Sequence, residues 1–115
     1  MAEDRAVSFT DYGGKYQRIR KAIHNAGFDE FCQAGTMSRF HKMNIVCESA
    51  ILNKRFWICI DGGYGVSDSL SIVTRDLSIN GSDERVYFKT QTELAAAIDT
   101  IGEQIWAAKG VQGHV

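Results

Sequence analysis

The fold is decided by residues 43–60, which read MNIVCESAILNKRFWICI. Alternate positions in the first half hold apolar or small residues, a pattern that predicts a half-buried strand: Met43, Ile45, Cys47, Ser49 and Ile51. Residues 56–60 are apolar on both faces, which predicts a central strand that is covered by a helix on one side. Asn53 and Lys54 separate the two runs and predict a β-hairpin with a two-residue turn.

Two further strands are predicted downstream of this hairpin. Residues 61–69 form a glycine-rich segment that indicates a loop, and Leu70, Ile72 and Thr74 then alternate with more polar residues. Asn80-Gly81 indicates a turn before a last alternating run that contains Val86 and Phe88. Connections this short favour antiparallel pairing, because a parallel crossover needs about a dozen residues or more.

Helical patterns flank the predicted strands on both sides. Apolar residues recur at steps of three and four along residues 12–26, which indicates one buried helix face: Tyr12, Tyr16, Ile19, Ile23 and Ala26. Thr90 and Glu93 have the spacing of a capping box at the start of a second helix. That helix is predicted to bury an apolar stripe made of Leu94, Ile98, Ile101 and Ile105.

The order of these patterns predicts a single α+β domain over residues 1–115, with an N-terminal helix, a four-stranded mostly antiparallel sheet and a C-terminal helix. Residues 1–10 and 110–115 are predicted to be flexible. Residues 27–42 contain Phe28, Phe31 and Phe40, which indicate packing, but no regular period assigns an element to them.

Composition excludes several classes of protein. Hydrophobic residues make up 44% of the chain and charged residues 23%, which is typical of a globular protein rather than a disordered one. No apolar run approaches the roughly 20 residues of a membrane helix, and the first residues lack the apolar core of a signal peptide. The three cysteines contain no CxxC spacing. We therefore expect a cytoplasmic protein with reduced thiols, no metal and no cofactor.

The polar residues do not form a pattern typical of catalysis. The glycine-rich segment is followed by strand-like alternation rather than by a helix and a lysine, and Asp61 and Asp68 would repel a phosphate. Asp61, Asp68 and Asp76 lack the convergence that a cation site needs. The spacing of histidines and cysteines does not predict a nucleophile–base pair. These observations predict a non-enzymatic protein.

Candidate partner-binding residues come from the strands and the glycine-rich segment. Trp57, Val73 and Tyr87 lie on three different strands, and they form an apolar patch if both helices cover the other face of the sheet. If one helix covers each face, the same side chains belong to the core. Tyr64, between Asp61 and Asp68, is a second candidate contact. We expect Trp57→Ala or Tyr64→Ala to abolish partner binding without unfolding the domain.

Two alternative functions remain open. Residues 1–55 carry nine Lys/Arg and six Asp/Glu, whereas residues 56–115 carry four and eight. A basic surface that binds nucleic acid, as a nuclease or a simple binder, is therefore an alternative: Lys15, Arg18, Lys21, Arg39 and Lys42. The sequence pI of about 6.3 counts against it. The other alternative is a small-molecule-binding domain with its pocket between sheet and helices. Homodimerisation is compatible with all three functions.

The helix–sheet–helix layout is similar in outline to that of small inhibitors and immunity proteins carried by phages and mobile elements. The similarity concerns architecture and includes no shared motif. It implies a small domain that acts by occupying a surface of a larger protein, as an anti-defence or immunity-type protein does.

Overall fold

The computed structural model describes residues 16–37, 42–63, 66–78 and 82–110. They form an α+β domain whose elements, in chain order, are α1 (Gln17–Asn25), β1 (Glu30–Met37), β2 (Lys42–Ser49), β3 (Lys54–Gly63), β4 (Val66–Asp76), β5 (Glu84–Phe88) and α2 (Gln91–Ala108). The strands form one sheet in the order β1-β2-β3-β4-β5, and each is antiparallel to the next. The predicted flexible ends, residues 1–10 and all but Gly110 of 110–115, lie outside the described residues.

The sheet has five strands in the described part of the chain, so the prediction of four was wrong. The additional strand, β1, lies at one edge within the stretch that had no regular period. Its pairing with β2 shifts between Gln33 and Gly35, and such an irregularity destroys the alternation by which a strand is recognised. Phe31 packs against the core, whereas the neighbouring Cys32 is exposed.

The β2–β3 hairpin is present, but its turn is longer than predicted. Ser49 pairs with Lys54, which places four residues, 50–53, in the turn and leaves Ile51 exposed there. Asn53 adopts a left-handed conformation with φ of 56°, which asparagine tolerates better than most residues. The two-residue Asn53-Lys54 turn and the extension of the strand to Ile51 were therefore wrong.

The glycine-rich segment is mostly strand rather than loop. β3 continues through Gly63 and β4 begins at Val66, with Gly63 and Val66 paired. The prediction of a connection between two antiparallel strands is confirmed, but its predicted length was wrong. Tyr64 lies in the short connection, outside the described residues.

The core lies between one face of the sheet and the two helices. Ile45, Ile58 and Ile72 are cross-strand partners on β2, β3 and β4, and all three are buried. Ile23 of α1 and Ile98 of α2 belong to the same buried cluster. The predicted central position of β3, with a helical layer on one side, is thus confirmed.

The helices also meet the expectations for their buried faces. Tyr16, Ile19, Ile23 and Ala26 are buried along the first helix, while Tyr12 lies outside the described residues. In α2 the amide of Glu93 donates to Thr90 Oγ1 over 3.1 Å, as the capping box predicts. Leu94, Ile98 and Ile105 are fully buried, and Ile101 is only half-buried.

Candidate functional site

The face of the sheet opposite the helices brings together the three predicted apolar candidates. Because side chains alternate along a strand, the residues between the buried isoleucines point to this second face. Trp57 and Val73 are direct cross-strand partners in the middle of the sheet. Tyr87 pairs with Ser71, one row further along. Both helices pack on the other side, so these side chains form what we call the open face.

Trp57 lies between charged residues on the open face. Together with Trp57 they form what we call the Trp57 ladder: Glu48, Arg55, Arg75 and Asp83. The guanidinium carbons of Arg55 and Arg75 lie 5.8 and 5.1 Å from the centre of the Trp57 ring system. Arg55 Nε donates to Glu48 over 2.6 Å, and Arg75 donates to both carboxylate oxygens of Asp83 over 2.8 and 3.0 Å. The ladder therefore spans the sheet from β2 to the start of β5.

The ladder resolves an electrostatic conflict within the sheet. Arg55 and Arg75 are direct cross-strand partners, and like charges in that position repel each other. Each guanidinium has its own carboxylate partner, and both contact the electron-rich face of the indole ring. Hydrogen bonding to Arg75 lowers the pKa of the Asp83 carboxyl from its ordinary value, so this carboxyl stays ionised to a lower pH than a free aspartate. Trp57 is thus held by its neighbours.

A second cluster lies next to the ladder around Arg85. Its guanidinium donates to Ser71 Oγ over 2.7 Å, and its Cζ lies 5.8 Å from the centre of the Tyr87 ring. Ser71 and Cys59 are cross-strand partners, and both are buried although they lie on the open face. Arg85 is the cross-strand partner of Val73, so its side chain reaches from the row of Trp57 and Val73 into the adjacent row of Cys59, Ser71 and Tyr87.

Carboxylates are mixed with the arginines across the open face. Alternation places Glu30 and Glu48 on β1 and β2, and Asp61 on β3, on the same side as Trp57. Asp61 is half-buried and pairs with Ser69. Asp68 belongs to β4 by its backbone, but its side chain lies outside the described part of the structure, as does all of Tyr64.

The residues of the predicted nucleic-acid surface are only partly described. Arg18 and Lys21 are exposed on α1, together with the half-buried Arg20. Within the described residues none of these three cations has an ion pair or a hydrogen bond from its side chain, in contrast to Arg55, Arg75 and Arg85. Lys42 is placed in β2 by its backbone alone, and Lys15 and Arg39 lie outside the described residues.

Sequence reasoning did not assign the three arginines to the face that carries Trp57, although a signal for this assignment was present. Arg55 lies two residues before Trp57, Arg75 two after Val73, and Arg85 two before Tyr87. Alternation places a residue two positions away on the same face of a strand. Once Trp57, Val73 and Tyr87 are assigned to an exposed face, the three arginines are assigned to the same face.

The environments of the three cysteines predict the order in which a thiol reagent modifies them. At pH 8 we expect a thiol reagent to modify Cys32 first, because it alone of the three is exposed. Burial raises the pKa of the Cys47 thiol, and of Cys59 despite opposing contacts with Arg85 and Ser71, so both hold fewer thiolates at a given pH. Mass spectrometry after brief labelling measures this order, and Cys32→Ser should lose the fast site. Equal labelling of Cys47 would contradict the buried environment described for it.

The described residues offer little for other kinds of site. No group of three or more metal-ligating side chains occurs among them. A shallow concavity of about 470 Å³ lies at the β1 edge, and its lining includes Asp29, Glu30, Glu48, Cys32 and Val46. Within the same residues, neither helix is long and apolar enough to cross a bilayer.

Comparison with known proteins adds no constraint on the function. No protein-family model matches the chain, and neither the search of curated proteins nor the search of solved structures found a match. The geometry of the open face and of α1 is therefore the basis for a functional assignment.

Proposed function

We propose that this protein is a small non-enzymatic domain that binds a larger protein through the open face of its sheet. The observation that carries the proposal is the position of Trp57: it lies on the central strand, on the side without helices, in contact with two arginines. Tryptophan, tyrosine and arginine are the residue types that contribute most to protein–protein interfaces. The open face carries all three.

The contacts around Trp57 favour binding in a second way. A side chain that is free to rotate loses entropy when a partner immobilises it, which costs about 0.5–1.5 kcal/mol. The ring of Trp57 is already held by Arg55 and Arg75, whose positions are fixed in turn by Glu48 and Asp83. Much of this ordering is complete before a partner arrives, so the interface is preorganised.

The charges of the open face favour a protein partner over a nucleic acid. Its arginines are engaged by Glu48, Asp83 and Ser71, and additional carboxylates lie on the same side of the sheet. A phosphate backbone would be repelled by these carboxylates and would have to compete for the guanidinium groups. A protein surface with charges of both signs has no such disadvantage.

The outline similarity to phage and mobile-element inhibitors and immunity proteins suggests what binding accomplishes. We propose that the domain acts as an inhibitor-type protein, which occupies a surface of its partner and thereby blocks that surface.

Affinity capture from a lysate of the protein's own host tests this assignment. The tagged wild-type chain, Trp57→Ala and Ile51→Ala are compared, each with and without nuclease. Ile51 is a matched control because it is a large exposed apolar residue in the turn between β2 and β3. We expect a stoichiometric protein partner that survives nuclease, is retained by Ile51→Ala and is lost with Trp57→Ala. A partner retained equally by all three chains would contradict the assignment to the open face.

A specific observation supports nucleic acid as a second candidate ligand, bound at α1. Arg18, Arg20 and Lys21 lie on one short helix that contains no acidic residue, and no ion pair within the described residues engages them. Cations without a partner among the described residues are available to phosphates, whereas a phosphate would have to compete for the arginines of the sheet. The two candidate surfaces lie on different layers of the domain, so they are tested separately.

Charge reversal on α1 distinguishes the two candidates. If α1 binds nucleic acid, Arg18→Glu combined with Lys21→Glu should weaken binding to a DNA or RNA oligonucleotide by at least about tenfold and reduce the salt dependence of the affinity. Lys89→Glu removes a cation from the end of β5 and serves as the control. Fluorescence anisotropy from low to high salt provides the measurement. Salt-independent binding, or no binding by the wild-type chain, would eliminate this candidate.

A further inference from the structure

Strand β5 forms an edge of the sheet, and four of its five residues are exposed. It pairs with β4 on one side, and no other strand in the described part of the chain pairs with its outer side. Val86 and Tyr87 point to opposite faces and are 55% and 67% exposed. Natural edge strands are normally protected, because their free backbone groups readily pair with another chain. The exposure of Val86 also indicates that α2 leaves this edge accessible.

The sequence around β5 is complementary to itself. Residues 82–90 read SDERVYFKT, with Val86 at the centre. When two copies pair antiparallel about a two-fold axis midway between their Val86 residues, each Arg85 lies opposite Tyr87 of the second copy. In the same register Val86 lies opposite Val86, Glu84 lies opposite Phe88, and Asp83 and Lys89, which flank the strand, lie opposite each other. The register thus places each Arg85 beside an aromatic ring, opposes the unlike charges of Asp83 and Lys89, and brings no like charges directly opposite each other.

Neighbouring registers lack this complementarity. Directly opposed side chains share a face of the sheet, so a two-fold axis perpendicular to it lies midway between two copies of one residue, by which the axis is named. An axis through Arg85 would place the two Arg85 guanidinium groups opposite each other. An axis through Tyr87 would place Arg85 opposite Lys89, and both arrangements bring like charges together. Among the three central positions of β5, only the register through Val86 avoids such a pair.

We propose that the chain forms a symmetric dimer in which β5 pairs with β5 of a second copy, in the register centred on Val86. The two sheets then become continuous, and the two open faces lie side by side on one surface. The dimer would thereby present two copies of the Trp57 ladder. This inference does not depend on the proposed function, because it rests on the edge strand alone.

Molar mass as a function of concentration tests the dimer. By sedimentation equilibrium, the wild-type chain should rise from 12.8 kDa towards twice that mass as concentration increases. Val86→Lys places two ammonium groups beside the axis and should weaken dimerisation at least tenfold, whereas Ile51→Lys, which adds the same charge at another exposed apolar position, should not. A wild-type chain that stays monomeric at all concentrations, or a dimer that is unaffected by Val86→Lys, would overturn the proposal.

Disulfide formation tests the register. Directly opposed residues in an antiparallel pair have Cα atoms about 4.5–5.5 Å apart, within the range for a disulfide bond. In a Cys32→Ser background, Val86→Cys should therefore form a crosslinked dimer on mild oxidation. Tyr87→Cys should not, because the two substituted positions would be diagonal neighbours about 7–8 Å apart. Equal crosslinking of both variants, or of neither, would contradict this register.

Discussion

Trp57→Ala should weaken binding of the protein partner by about 30- to 1,000-fold, which corresponds to roughly 2–4 kcal/mol. The loss is large because the change removes the largest aromatic group of the open face. It also removes the surface on which Arg55 and Arg75 rest, so the two guanidinium groups lose their common contact. Their mutual repulsion across the strands is then less well compensated, and the preorganised ladder loosens.

Titration calorimetry with the captured partner measures this loss directly. Trp57→Phe is the informative intermediate, because it keeps an aromatic face for the arginines while reducing the contact area. Its affinity should fall between those of the wild type and the alanine variant. Circular dichroism must show that Trp57→Ala retains its fold, which we expect because Trp57 lies outside the buried cluster. An affinity within a factor of three of the wild type would show that the partner binds elsewhere.

The sequence predicted the parts of the fold that are regular and buried. Ile45, Cys47 and Ser49 recur at every second position, and Leu94 and Ile98 follow a helical spacing, because burial on one face requires such periods. The edge strand β1 was not predicted because burial does not impose a regular alternation on its sequence. It has exposed side chains such as Cys32 and an interruption near Gly35, so packing imposed no clear period on it.

The sequence predicted which residues belong to the candidate site but not how these residues are arranged. Alternation assigns Trp57, Val73 and Tyr87 to a common face once the strands are paired. Whether that face is covered depends on where α1 and α2 pack, which is a tertiary choice that no local pattern encodes. The charged ladder depends on register as well, since Arg55 opposes Arg75 only because Trp57 opposes Val73.

The three proposed binding surfaces are separate, so an experiment can contradict one proposal without affecting the other two. The open face carries paired charges around an aromatic centre, α1 carries cations without partners in the described residues, and β5 carries an unpaired edge. If the chain is monomeric but still requires Trp57 to capture its protein partner, only the proposed dimer is contradicted. If the chain is a dimer but captures no protein partner, only the proposed function is contradicted.

Gly102→Leu should destabilise the domain by about 3 kcal/mol and lower its melting temperature by roughly 10 °C. Gly102 is buried in α2 where α1 comes closest: a Cβ atom there would lie 2.8 Å from Ala26 Cα and 3.2 Å from its Cβ. Since the obstacle includes backbone, a rotamer change does not relieve it, and α1 has to move away. Moving α1 disturbs the burial of Ile19 and Ile23, which lie at its interface with the core.

The contacts at the ends of the two helices oppose that movement. Trp106 Nε1 donates to the carbonyl of Asn25 over 3.1 Å, and Lys109 Nζ donates to that of Gly27 over 3.1 Å. Thermal unfolding followed by circular dichroism measures the effect. Ala96→Leu is the matched control, because it introduces the same side chain at an exposed position of α2 and should change stability by no more than about 0.5 kcal/mol. Leucine raises helix propensity over glycine by about 0.8–1 kcal/mol, so a stabilised Gly102→Leu variant would show that the helices are not in close contact.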